Sequence, residues 1–190
     1  EIVTEKVDVV EELSSNSISM SEISRERTQK NFFRLAIEKT ASDMKRFLRT
    51  NASQIDINEA LMDTSMQKPI GPFCGWSALH IAAFRGDLDL IKLLLEHGAE
   101  INMKATLQSE TPLAVATWKQ HENVVEYLLQ NGADVHCRNT NRGGQQPIHL
   151  ASIMGNERII QILLSYGANL DNQTTSCGAT TPIELAARLG

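Results

Sequence analysis

The sequence predicts an all-α protein, a solenoid of about five stacked helix pairs with the first pair degenerate and the last truncated. Three observations carry that expectation. The stretches 75–102, 109–136 and 144–171 repeat one layout of a turn, a short apolar helix, a break and a Leu-rich helix. Pro112, Pro147 and Pro182 follow one another at spacings of 35, and Ala78 holds the same place 34 residues before Pro112. Each stretch also carries a Leu pair (Leu93-Leu94, Leu128-Leu129, Leu163-Leu164) closed by Gly98, Gly132 or Gly167. A unit with apolar side chains on nearly every side is stable only when the next unit covers it, at about 1.5–3 kcal/mol per buried Leu.

Taken in chain order, residues 1–26 are acidic and then Ser-rich, expected to be flexible or docked onto the repeats. Residues 27–58 read as a degenerate first unit. Leu35-Ala36 and Phe47-Leu48 occupy helix-core places, but the Pro and the Gly-Ala are missing, which suits the N-terminal end of a stack. Residues 59–74 form an inserted connector, irregular near Pro69, Gly71 and Pro72, with room for a short extra helix from Asn58 to Met66. It is read either as a tolerated surface insertion or as a binding lobe. Residues 75–108, 109–143 and 144–178 are full units, and 179–190 begins another. Thr111-Pro112 and Thr181-Pro182 place a hydroxyl residue before a first-turn proline, where the missing N–H costs nothing.

Composition excludes several classes. No apolar run approaches the roughly 18 residues a membrane span needs, so no membrane insertion is expected. Residues 1–13 carry Glu1, Glu5, Asp8, Glu11 and Glu12 against Lys6, a charge of −4, and the rest of the chain is nearly neutral. A basic footprint for duplex nucleic acid is therefore absent. Cys74, Cys137 and Cys177 are odd in number and unrelated in spacing, so exposed, reduced thiols in an intracellular compartment, cytoplasmic or nuclear, are expected. The chain starts at Glu1 and stops at Gly190 in mid-pattern, as a segment of a longer protein would.

Chemistry is sparse. His80, His97, His121, His136 and His149 lack partners at ligand spacing, so no metal is expected. "NRGGQQP" (141–147) is Gly-rich but lacks the Gly-Lys-Ser/Thr of a phosphate loop. With no triad or paired-carboxylate signature, neither catalysis nor a cofactor is expected.

The repeated motif, "SALHIA" (77–82), "TPLAVA" (111–116), "QPIHLA" (146–151) and "TPIELA" (181–186), followed by a Leu pair and Gly-Ala, resembles the ankyrin repeat over roughly residues 27–190. The resemblance implies antiparallel helix pairs stacked side by side, with β-turn fingers along one edge. It implies that His80 and His149 link neighbouring turns by hydrogen bonds. It also implies that partners meet the finger tips and the concave side, lined by the two residues before each mid-unit break.

Those concave places hold Phe84-Arg85, Trp118-Lys119 and Ile153-Met154; the finger-side places hold Trp76, Leu107, Gln108, Glu110, Arg142 and Gln145. Tryptophan and cations in one partly desolvated strip have the composition of a binding hot spot. The expected role is thus a non-catalytic scaffold, adaptor or inhibitor whose groove takes a protein or peptide with apolar anchors and acidic residues. Segment 1–13 has that composition, and is read as docking in the groove or capping the first helix pair. Two alternatives stay open: a regulatory segment of a larger enzyme or channel, and a small-oligonucleotide sensor stacking bases on Trp76 and Trp118. Asn102, after Glu100-Ile101 and eight residues from Leu94, is similar to an asparaginyl-hydroxylation signature, or simply braces its turn.

Overall fold

The computed structural model describes residues 20–38, 40–61, 73, 75–106, 109–140, 143–175 and 179–189. Within them run α1 (Met20–Glu38), α2 (Ala41–Asn51), α3 (Ala78–Arg85), α4 (Leu88–Glu96), α5 (Pro112–Trp118), α6 (Glu122–Gln130), α7 (Pro147–Met154), α8 (Glu157–Ser165) and α9 (Pro182–Leu189). The first helices of successive pairs, α1, α3, α5, α7 and α9, pack in one row, and α2, α4, α6 and α8 in a second. This is the expected all-α solenoid. One boundary moves: α1 begins at Met20, so the end of the stretch assigned to a flexible segment (residues 20–26) is helical.

Caps explain why the helices begin where they do. Thr40 and Asp43 cap α2 reciprocally, and Thr111 Oγ1 accepts from the Ala114 N–H ahead of α5. Asp87 and Asn156 each accept from the third residue of the following helix, at 3.0 Å. The ends follow one rule as well. Gly98, with φ of 86°, turns the chain so that the Ala99 N–H reaches Leu94 O at 3.0 Å, and Ala133 and Ala168 repeat this bond.

Between the rows lies one continuous core that includes Phe32, Met44, Leu48, Leu90, Leu94, Leu128 and Ile159, all nearly inaccessible to solvent. Polar straps tie neighbouring units along both edges. The Asn102 amide donates to Gly132 O at 3.2 Å and accepts from the Asp134 N–H at 2.8 Å. Asn58 does the same one unit earlier, donating to Gly98 O and accepting from the Glu100 N–H. Ile55-Asp56-Ile57-Asn58 is therefore the counterpart of Ala99-Glu100-Ile101-Asn102. The first unit keeps this element although it lacks Gly-Ala, and Asn58 to Leu61 are turn and coil rather than the start of an extra helix. The remainder of that expected helix, residues 62–66, lies outside the described residues.

The fingers close with a common clasp. The Leu61 N–H donates to Trp76 O, the Ala105 N–H to Glu110 O, the Asn139 N–H to Gln145 O and the Thr174 N–H to Thr180 O, all at 2.8–3.0 Å. Residues 62–75 separate the first clasped pair in sequence, against 106–109 in the second. The inserted connector is thus extra sequence between the two residues of the first clasp.

His80 and His149 link turns as the resemblance implied. His80 Nδ1 accepts from the Ser77 N–H at 3.2 Å, which leaves Nε2–H to donate to Glu110 O at 2.9 Å; His149 pairs likewise with Gln146 and Asn172 O. Burial pushes His80 down to about 4 and lowers His149. Both rings are neutral when folded, whereas the unfolded chain protonates them near their ordinary value of about 6.5. Stability from His80 is therefore complete above that value and is lost as pH falls toward 4, by about 3 kcal/mol. Urea unfolding at pH 7.5 and 4.5 tests this: His80→Gln is expected to lose about 2–3 kcal/mol less over that interval than the parent chain.

Candidate functional site

The described residues hold no cluster of three or more His, Cys, Asp or Glu side chains placed to bind a metal ion. Cys137 is half-buried rather than exposed, and burial raises its thiol above the usual range; it is not a poised nucleophile. Cys74 and Cys177 lie outside the described residues. A cleft of about 1040 Å³ runs along α1 and the 56–61 segment, away from every expected groove residue. Burial and nearby Asp56 raise Glu59 there.

The C-terminal ends of α3 and α5 are different. These helices end at Arg85 and Trp118, and the left-handed Gly86 and Gln120 then turn the chain toward the second row. That turn leaves Phe84 and Trp118 half-buried, with ring centroids 6.5 Å apart and planes inclined at 47°. The Lys119 ammonium lies 4.1 Å from the Phe84 ring centroid and 4.5 Å from that of Trp118. One cation on two π faces is favourable by about 0.5–1 kcal/mol per ring at such accessible positions. His121 fixes the backbone beneath by donating from Nε2 to Phe84 O at 3.0 Å. Its ring fills the space over Gly86, where a Cβ would come within 2.7 Å of it.

The expected set separates. Phe84, Trp118 and Lys119 come together, and Ile153 and Met154 are half-buried at the end of α7, the next first-row helix. Arg85 faces inward instead: Nη1 donates to Ala36 O at 2.5 Å and Nη2 lies 3.5 Å from Asp87 Oδ2, so it straps α1 to α3. Two assignments are corrected. Trp76 is only 2 % exposed, packed 5.5 Å from Phe73 and 5.6 Å from Phe84. It buries because the rings of Phe73 and Phe84 pack against it. Glu110 is also buried; its backbone accepts from His80 and its carboxylate from the Asn139 amide at 3.3 Å. Gln145 is half-buried in the clasp with Asn139. Leu107, Gln108 and Arg142 lie outside the described residues. Asn102 is exposed, with both ends of its amide engaged in bracing the next turn.

Sequence reasoning missed Phe73, which lies 5.2 Å edge-on from Phe84. An aromatic just outside the Gly75-Trp76 turn was the available signal, but nothing periodic marked it. Its burial of Trp76 also removes one of the two stacking surfaces required by the oligonucleotide reading.

Comparison with known proteins agrees with this architecture. A family model described as ankyrin repeats (3 copies) matches residues 52–139, and one described as ankyrin repeat matches 143–175; together they cover more than half the chain. Protein PhlB of Serratia liquefaciens is 36% identical over 99 residues, which is 52% of this chain and 43% of that protein. Ankyrin repeat and SOCS box protein 2 of Bos taurus is 38% identical over 68 residues, 36% of this chain and 11% of that protein. Alpha-latrotoxin-Lh1a of Latrodectus hasselti is 35% identical over 81 residues, 43% of this chain and 5% of that toxin. The chain spans less than half the length of each of these relatives.

Two measurements check the site. Acrylamide should quench Trp118 emission several-fold more efficiently in Trp76→Phe than it quenches Trp76 emission in Trp118→Phe. Gln120, at φ of 62°, bears the strain of a left-handed non-glycine residue. Gln120→Gly is expected to stabilise the chain by about 1 kcal/mol in urea unfolding while leaving Trp118 emission unchanged.

Proposed function

The chain belongs to the ankyrin-repeat family, and from that premise we propose a non-catalytic protein–protein interaction module whose groove centres on Phe84, Trp118 and Lys119. The observation that carries this reading is the Lys119 ammonium held over two half-buried rings. Among the described residues Lys119 has no ion-pair partner, so its charge is positioned without being neutralised. A carboxylate meeting it would lie beside apolar ring edges, with Ile153 and Met154 half-buried at the end of the next first-row helix. The partner segment that suits this surface combines an acidic residue with large apolar anchors.

The setting we infer is intracellular, cytoplasmic or nuclear, where a half-buried thiol such as Cys137 stays reduced. No helix among the described residues is long and apolar enough to cross a membrane. Regulation of a catalytic or channel-forming region elsewhere in a longer protein is compatible with the same groove. It is favoured by the small share of the SOCS-box protein and the toxin that the matched region occupies.

Selection of peptides from a random displayed library against the immobilised chain tests the reading. Enriched peptides are expected to pair Asp or Glu with Leu, Phe or Trp. Trp118→Ala and Lys119→Glu should each weaken the selected peptide at least 30-fold, the scale of a hot-spot residue. Lys92→Ala, in the second row on α4, should leave it within twofold. Equal binding to the parent and to both groove variants would overturn the assignment.

A further inference from the structure

Charge is unevenly distributed along the chain. Residues 20–51, which contain α1 and α2, carry eight basic and four acidic side chains, a net +4. Residues 1–13 carry −4, and 52–190 carry −5. The first helix pair is thus the one net-positive body next to a strongly acidic segment, and the rest of the stack repels that segment. The inner sides of α1 and α2 pack on α3 and α4 through Phe32, Met44 and Leu48. Among the described residues no helix covers their other side. There a groove of about 490 Å³ opens between them, lined by Leu35, Asp43, Arg46, Phe47 and Thr50. Leu35 and Phe47 are only partly buried, and Lys45, Arg46 and Arg49 of α2 are exposed.

The acidic segment has a matching pattern. Turned at 100° per residue, Ile2, Val3, Val7, Val9, Val10 and Leu13 fall within one arc of roughly 160°, interrupted only by Lys6. All five carboxylates fall on the opposite side. As a helix it would be about 20 Å long, close to the length of α2. Residues 14–19 join it directly to the start of α1 and reach about 20 Å at full extension, enough to fold it back onto the pair.

We propose that residues 1–13 form an amphipathic helix that docks across the outer side of α1 and α2, with its aliphatic face on Leu35 and Phe47 and its carboxylates beside Lys45, Arg46 and Arg49. It caps the solenoid and leaves the Phe84–Trp118–Lys119 groove open. Burial of its aliphatic face supplies the attraction, and opposite net charges select this site over the concave one. Terminal units of a solenoid need such a cover because only one neighbour supports them.

A nitroxide on Thr50→Cys, in the full chain with its three native cysteines changed to Ser, tests the docking. Methyl signals of Val3, Val7 and Val10 should broaden at 0.05 M salt and recover in part at 1 M, as screening shortens the reach of the charges. The same label on Met154→Cys should leave them sharp. In the chain otherwise unchanged, deleting residues 1–13 should speed amide exchange in α1 and α2 at least tenfold and in α7 and α8 less than twofold. Broadening from Met154 instead of Thr50, no broadening from either, or exchange unchanged by the deletion would overturn the proposal.

Discussion

Every part of this molecule depends on one constraint: no helix pair can bury its own apolar sides. Leu93, Leu94, Leu128 and Leu163 lie at most 5 % exposed because a neighbouring unit covers them. Stability therefore accumulates through nearest-neighbour interfaces rather than around one centre. The polar straps follow from the same arrangement. Backbone carbonyls at the unit edges would be left poorly satisfied if each unit stood alone. The side chains of Asn58, Asn102 and His80 instead reach across to the next unit's backbone, and His149 holds the finger of its own unit through Asn172 O. These bonds fix the spacing of units and so set the curve on which a groove can form.

That spacing also decides what kind of surface the concave side presents. Phe73, Trp76, Phe84 and Trp118 form a chain of rings that passes from the buried finger base to the half-exposed groove. The buried end is structural: Trp76 anchors the first full unit between Phe73 and Phe84. The accessible end retains ring surface and a cation. One aromatic chain thus serves packing at one end and reaches the surface we propose for recognition at the other, with Phe84 as the residue common to both. Lys119 stands where the change occurs, its ammonium drawn to ring faces that burial would otherwise have sealed.

The backbone at these turns shows how much the groove relies on local geometry. Gly86 has no room for a side chain because His121 occupies the space, and that histidine also holds Phe84 O. In the next unit the same place is Gln120, which adopts the left-handed conformation without glycine's freedom. The packing of α5 against α3 and α7 compensates for the strain and leaves Trp118 and Lys119 half-buried beside Phe84.

The repeat spacing, the Leu pairs, the left-handed glycines and the cap residues depend only on local chemistry repeated at a fixed period. The sequence by itself therefore determined the solenoid and the linking histidines. It also placed Phe84, Trp118 and Lys119 in one row. It did not determine which groove residues remain accessible, because exposure depends on what a neighbour lays over them. Phe73 sits in a stretch with no period, and it buries Trp76; Arg85 turns to an α1 carbonyl that no local pattern announces. Only the tertiary structure decided those contacts, since they join residues tens of positions apart whose distance is fixed by the stack.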